Sequence, residues 1–356
     1  MRFAVTLLLA ALAVPASAQE IVAEPVLAPE PAPIRPLVIA HRGASGERPE
    51  ETLAAYERAL DLGADWIEGD LVPTLDGALV LRHENELSVS TDVADHPEFA
   101  NRKTTKIVDG MTTDGWFSED FTLDELRTLR ARERLPELRP ANTRFDRLYP
   151  LATLGELLQL MQAKEAELGR PVTLLLELKH PTYFAGLGHD LAALMLAELE
   201  RGGYGNGDPR IVMQNFEVGV LCRLSETTEY KTVQLVDAEG APADVPAVPY
   251  AAMLESAGLA VLKRCADAIG PSIALVLNLD GTPAPLVAAA REAGLPLYPW
   301  TLRRENAFLP PQLRRGADQA AVGDVQSLAY LLTVAGVAGI ITDNTADVVA
   351  LQQARP

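Results

Sequence analysis

The sequence predicts an α/β fold, a (β/α)8 TIM barrel with a small subdomain inserted after the second strand. Three observations predict it. Short apolar runs alternate with amphipathic helices through about eight strand–helix units. No Gly-x-Gly-x-x-Gly follows the first run, which disfavours a dinucleotide-binding open sheet. One interval, 88–150, is polar and breaks the rhythm.

The chain opens with an address. Met1 and Arg2 give a positive start, 3–14 is apolar, and Ala16, Ser17 and Ala18 are small. This is the three-part pattern of a secretory signal, with cleavage predicted after residue 18 and export to the periplasm or medium. The apolar run is too short to cross ~30 Å of hydrocarbon. Residues 19–36 carry Pro25, Pro29, Pro31, Pro33 and Pro36 and read as an extended tether. The barrel is placed at 37–356.

Residues 37–40 form a buried strand, and 50–62 a helix with Leu53, Tyr56, Ala59 and Leu60 on one face and Gly63 at its stop. Strands follow at 66–71 and, after the Asp76-Gly77 turn, at 79–81. Beyond the insertion, helix 153–168 ends at Gly169 and strand 172–178 precedes helix 191–199. The alternation continues with strands at 211–213, 232–236, 268–269, 297–300 and 339–342. Helices are read at 218–224, 258–265, 286–293, 325–334 and 347–352. The insertion holds Phe99, Trp116, Phe117, Phe121, Phe145 and Tyr149, and seven arginines from Arg127 to Arg147. A long interruption of a compact domain is read as a lid or binding subdomain.

Composition narrows the function. Thirty-one basic against 49 acidic residues give a net charge of −18, which disfavours nucleic-acid binding. No segment beyond the leader is apolar enough to span a bilayer, so stable membrane insertion is not expected. Export permits a disulfide between Cys222 and Cys265, but two cysteines far apart read equally as small buried apolar residues.

The chemistry lies at strand ends. In a strand, residues i and i+2 share a face, so Glu68 and Asp70 project together, as do Glu177 and Lys179. Clustered carboxylates inside a barrel mouth repel one another, and a bound cation resolves the conflict. All-oxygen ligands indicate one hard divalent cation, Ca²⁺ or Mg²⁺; the alternative is a salt-bridged rim. His41 and His83 end adjacent strands beside these carboxylates and suggest an acid/base pair. His96, His180 and His189 are given structural roles. Arg42 and Lys179 add positive charge near the metal, so the set suits a phosphoryl group.

These residues carry a resemblance. His41-Arg42-Gly43-Ala44-Ser45-Gly46, Pro49-Glu50-Glu51-Thr52, Gly63-Ala64-Asp65 and Glu68-Gly69-Asp70 resemble the glycerophosphodiester phosphodiesterase family, in its longer periplasmic branch. The similarity runs through Thr91-Asp92-Val93, residues 121–125 and Gln214-Asn215-Phe216 to residues 339–343. It implies metal-dependent hydrolysis of a small-molecule glycerophosphodiester to sn-glycerol 3-phosphate and an alcohol. It implies catalytic His41 and His83, metal ligands Glu68, Asp70 and Glu177, phosphate-contacting Arg42 and Lys179, and Trp300 bordering the substrate. Two positions depart from the family pattern. The usual His-Asp is His83-Glu84, and the usual Asp-x-Pro is Asp343-Asn344-Thr345. A phospholipase D-like enzyme of the same fold and a non-catalytic barrel are the alternatives. The insertion is expected to restrict the alcohol side of the pocket in favour of small head groups, and the barrel to fold without it.

Overall fold

The computed structural model describes residues 35–353; the leader at 1–18 and most of the tether lie outside them. Chain order runs β1 (Leu37–His41), α1 (Leu53–Asp61), β2 (Trp66–Pro73) and β3 (Leu79–Leu81). The insertion contributes the hairpin β4 (Thr104–Val108) and β5 (Met111–Gly115), then the single-turn α2 (Leu123–Leu126). Next come α3 (Leu154–Leu168), β6 (Thr173–Leu178), α4 (Pro181–Gly186), α5 (Leu191–Arg201), β7 (Ile211–Asn215) and α6 (Val218–Thr227). The chain continues through β8 (Lys231–Val236), α7 (Tyr250–Met253), α8 (Ser256–Leu262), β9 (Ala268–Pro271) and α9 (Pro285–Ala293). It finishes with α10 (Val325–Ala335), β10 (Gly339–Thr342) and α11 (Thr345–Gln353).

Local chemistry sets several boundaries. Thr52 caps α1 by accepting from Ala55 N, and Thr153 with Glu156 forms a reciprocal capping box on α3. The α3 helix ends at Gly169 in the left-handed conformation. β6 reads Thr-Leu-Leu-Leu-Glu-Leu and is buried on both faces, as a parallel strand between core and helices must be.

Parallel ladders give the order β10-β1-β2-β6-β7-β8-β9, with β3 antiparallel on β2. The strand predicted at 297–300 is present only as separate bridges, because Pro296 and Pro299 have no N–H to donate. The segment still joins the two ends of the sheet. Leu297 and Trp300 bridge to Ile269 and Ser272, and Leu302 bridges to Thr342. Ile341 N donates to Pro299 O at 3.0 Å. The eight parallel segments thus form a closed barrel.

The barrel interior is layered. Ile39, Leu175, Val212, Val233 and Ile341 pack together across the axis, and Trp66 meets Tyr298 with ring centroids 5.5 Å apart. This apolar plug leaves the C-terminal strand ends as the place where polar side chains converge. The insertion is not separable from the barrel in the way the sequence suggested. Phe99, Phe121, Leu126 and Leu129 belong to the same buried cluster as Leu71, Leu81 and Leu157, so deleting 88–150 would strip apolar cover from β2, β3 and α3. A disulfide joins Cys222 of α6 to Cys265 after α8.

Candidate active site

Strand register assembles the site. His41 lies beside Glu68 across β1 and β2, and Asp70 beside Glu177 across β2 and β6. Parallel neighbours in register point to the same side, so these side chains face the barrel mouth together. Gln214 stands next to Glu177 and its Nε2 donates to Glu68 Oε1 at 2.9 Å. The ligand oxygens of Glu68, Asp70 and Glu177 all lie within 4.8 Å of one another.

The Gly43 turn and the following acidic pair hold this arrangement. Gly43 has φ +79°, and a Cβ there would sit 2.5 Å from the Ala55 carbonyl carbon, so α1 packs against bare backbone. The turn aims Arg42 N at Glu68 Oε2, at 2.9 Å. Arg42 itself adopts φ 57°, an uncommon conformation for a residue with a side chain. Its guanidinium reaches Glu50 Oε2 at 3.1 Å and Asp70 Oδ2 at 3.1 Å. Glu51 accepts from Asp70 N at 3.0 Å and from the Tyr56 hydroxyl, bracing the strand from behind. Gly69 is needed for that brace, since a Cβ would lie 2.6 Å from the Tyr56 hydroxyl oxygen.

The three carboxylates fit a hard cation. Asp70 is fully buried, yet neither of its side-chain oxygens accepts a hydrogen bond. Lys179 Nζ and Arg42 Nε stand 3.1 Å from them, at ion-pair distance without hydrogen-bond alignment. Burial and then the Asp70 charge push the Glu68 carboxyl well above its ordinary range. Burial, with Asp70 adding beyond what Lys179 offsets, pushes Glu177 up to about 7. Against burial, Lys179 and Arg42 hold Asp70 well below its ordinary range. Burial acts on Lys179 in the opposite sense, downward, but Asp70 and Glu177 push it up to about 12, so it stays charged. Mutual repulsion among three desolvated carboxylates, with both Asp70 oxygens lacking a hydrogen-bond donor, is what a divalent ion with oxygen ligands would relieve.

Each histidine is held by a carboxylate. His41 Nδ1 donates to Asp343 Oδ1 at 2.6 Å, and His83 Nδ1 donates to Glu84 Oε1 at 2.6 Å. Against burial, Arg303 and Arg139 hold Asp343 well below its ordinary range, so it can only accept. The proton is therefore on Nδ1, leaving Nε2 of His41 as the free ring nitrogen. Glu84 is likewise held down against burial by Arg134, which also reaches Glu50 Oε1 at 3.2 Å. Burial and the Arg42 charge lower His41 to about 4; burial, Arg42 and Lys179 lower His83 to about 3. Both imidazoles are neutral near pH 7.

All of the residues singled out from the sequence except Asp70 line one cavity of about 1180 Å³, and Asp70 lies against it between Arg42 and Lys179. Trp300 lines it from the opposite wall, its Nε1 bound to Gly270 O at 2.8 Å. The sequence did not single out Asp343, Arg139, Arg303, Glu84 or Arg134 for the site. Asp343 had a usable signal: it follows β10, and in a closed barrel the last strand lies beside the first, which ends at His41. Arg139 had none, because its bonds to Asp343 Oδ2 and Glu305 Oε1, both 2.6 Å, span 204 and 166 residues. Of the insertion's arginines, Arg134 lines the cavity and Arg139 is buried behind it. His180, taken as structural, bonds Asp109 at the β4–β5 tip at 2.6 Å.

The pattern has known relatives. The model of the glycerophosphoryl diester phosphodiesterase family matches residues 41–347. The chain belongs to that family. A glycerophosphodiester phosphodiesterase of Arabidopsis thaliana is 34% identical over 327 residues, 87% of this chain and 84% of that protein. A solved homologue from Silicibacter pomeroyi superposes with a TM-score of 0.64 at 24% identity, over 91% of this chain and 95% of that one. A phosphodiesterase from Oleispira antarctica, solved with the product sn-glycerol-3-phosphate, gives 0.58 at 20% identity, over 89% and 97%. At these identities the two structures bear on the fold alone, and both agree with the barrel. Family membership makes the chain a phosphoric diester hydrolase acting on glycerophosphodiesters, with an acidic cluster able to hold a metal.

Proposed function

We propose that this enzyme hydrolyses glycerophosphodiesters to sn-glycerol 3-phosphate and an alcohol. The carrying observation is the convergence of three carboxylates between two histidines, each histidine fixed through Nδ1 by its own carboxylate. Glu68, Asp70 and Glu177 would hold one Ca²⁺ or Mg²⁺, which when bound supplies positive charge against the phosphoryl oxygens. Arg42 and Lys179 add two fixed cations within reach of the same oxygens, and burial strengthens their effect. Both imidazoles are neutral in the free enzyme; one withdraws a proton from the attacking hydroxyl, and the other takes up a proton from solvent when the anionic substrate binds and delivers it to the leaving alkoxide. Trp300 borders the organic part of the substrate. The product held by the Oleispira antarctica neighbour supports the product assignment.

The test is a panel of glycerophosphodiesters assayed for sn-glycerol 3-phosphate release, with EDTA and with Ca²⁺ or Mg²⁺ restored. Undiminished turnover in protein shown metal-free by elemental analysis would overturn the metal assignment. We also propose export to the periplasm or medium, supported by the leader pattern and by the Cys222–Cys265 disulfide, which an oxidising compartment sustains. N-terminal sequencing of protein made with its leader should begin at Gln19; an intact Met1 in secreted or periplasmic material would refute cleavage.

A further inference from the structure

The two histidines are held by carboxylates that are themselves held unequally. Asp343 is buried, and its Oδ2 accepts from Arg139 Nη2 at 2.6 Å and from Arg303 Nε at 2.7 Å, so two arginines fix it. Glu84 has less support. It lies in the loop after β3, and its side chain is 25% exposed. Among the described residues its carboxylate meets only His83 and Arg134. A partly exposed glutamate with three rotatable side-chain bonds does not stay on one imidazole nitrogen unaided.

Arg134 of the insertion supplies what that loop lacks. Its Nη1 donates to Glu84 Oε2 and its Nη2 to Oε1, a two-point fork that fixes the plane of the carboxylate and presents Oε1 to His83 Nδ1 at 2.6 Å. The fork is itself seated. Nη1 also reaches Glu50 Oε1 at 3.2 Å, and Glu50 Oε2 accepts from Arg42 at 3.1 Å. The backbone on either side is tied down: Glu133 N donates to Asp146 Oδ1 at 2.8 Å, and the Glu133 carboxylate accepts from Leu135 N at 2.8 Å and Asn142 Nδ2 at 2.9 Å. Arg134 borders the cavity, but both of its terminal nitrogens are spent on carboxylates, so it is not arranged as a third phosphate contact. Side-chain length matters too. An aspartate at 84, drawn back by one methylene, would have to give up either the imidazole or the fork.

We propose that Arg134 is a positioning residue for His83: its fork locks Glu84, so that the imidazole keeps its proton on Nδ1 and presents Nε2 to the reacting group. The inference rests on the function proposed above and adds a residue of the insertion to its proton-transfer machinery. Arg134 touches no reacting atom and acts through Glu84, so the two side chains work as one unit. The fork, not the charge alone, is what the imidazole depends on, because a point donor would leave the carboxylate free to turn.

The experiment uses the full chain with its divalent cation and glycerophosphocholine as substrate. Arg134→Met should lower kcat about 10- to 100-fold, short of the ~10² to 10⁴ carried by an acid/base group itself, with KM nearly unchanged. Arg134→Lys keeps the charge, and with it the fold, yet should remain at least about fivefold below wild type in kcat. Methylguanidine at millimolar concentration should raise the kcat of Arg134→Ala several-fold and leave that of Glu84→Gln unmoved. Glu84→Gln combined with Arg134→Met should cost no more than the larger single loss, as members of one unit do. NMR of the holoenzyme labelled with ¹⁵N-histidine reads the same coupling without turnover: His83 should be a single Nδ1–H tautomer in wild type and a mixture of tautomers in Arg134→Met. Wild-type kcat in Arg134→Met or Arg134→Lys, losses that multiply in the double variant, or an unchanged tautomer would overturn the proposal and leave the function standing. A raised KM at constant kcat would make Arg134 a substrate contact and overturn it as well. Failure of the wild type on every diester with metal bound would overturn the function, and the tautomer would then judge the positioning by itself.

Discussion

Glu177→Gln should make the metal-free protein more stable and its metal response smaller. Glu177 shares its pocket with Glu68 and Asp70, and burial with the Asp70 charge lifts it to about 7 from a reference of 4.5. A shift of that size places a penalty of about 3 kcal/mol on the metal-free fold at pH 8, where the group must ionise. Glutamine keeps the shape and the oxygen that meets Lys179 Nζ, at 2.7 Å in the wild type, while removing the charge. An unfolding entropy near 2.1 cal/mol/K per residue gives roughly 0.7 kcal/mol/K for a chain of this size, so the gain is about 4 °C in Tm. The sign of the pH dependence follows. A carboxyl whose pKa is raised by folding destabilises above that pKa, so metal-free wild type should gain stability as pH falls from 8 to 6.5. The variant should gain less, because only Glu68 of the two raised carboxyls of the cluster then remains to take up a proton, and that window lies above the range in which the two buried histidines act. Divalent cation at a hundredfold excess over Kd should raise wild-type Tm by about 4 °C, and by under about 1 °C if losing one ligand weakens binding a hundredfold. The assay is calorimetric melting in chelator and with Ca²⁺ or Mg²⁺ restored. A metal-free variant melting at or below wild type at pH 8, or one with an undiminished metal shift, would refute the reasoning.

Three further outcomes are expected. His83→Ala should lower kcat by about 10² to 10⁴ with Tm nearly unchanged, since its partner Glu84 stays paired with Arg134; in wild type the acid limb of kcat/KM should lie nearer pH 4 than 6.5, because burial lowers His41 to about 4. Arg139→Ala should cost about 3–5 kcal/mol by breaking a buried ion-pair network, read as a drop in Tm, and should also lower kcat because Asp343 then positions His41 less firmly. Replacing Cys222 and Cys265 by Ser opens a loop of 43 residues and should cost about 4 kcal/mol, read in urea melts, while activity of the folded fraction persists because the bridge joins outer segments.

The parts of this molecule legible in the sequence are those set by local spacing. Strand alternation puts Glu68 with Asp70 and Glu177 with Lys179 whatever the fold, and the turn after β1 could be read from His41-Arg42-Gly43 alone. The barrel was legible because apolar runs and helices keep one rhythm, even at 297–300, where two prolines leave the run bridged rather than laddered. What was not legible depends on closure and on long-range approach. Asp343 becomes a partner of His41 only once β10 lies against β1, and the pairing of Cys222 with Cys265 only once α6 and the end of α8 are neighbours.

The insertion shows why a break in rhythm is a poor guide to independence. Its polar composition suggested a lid or binding subdomain without which the barrel would still fold, yet its two most consequential residues point inward. Arg139 crosses to Asp343 and Glu305, which places the insertion behind His41. Arg134 pairs with the Glu84 that holds His83, which places it behind the second histidine too. Glu84 stands where the family pattern has aspartate, and its carboxylate meets both His83 Nδ1 and the Arg134 guanidinium. The longer side chain thus has an anchor supplied by the insertion itself. Orientation of both imidazoles consequently depends on a segment that carries no barrel strand, and the apolar cover given by Phe99 and Phe121 holds that segment in register with β2 and β3.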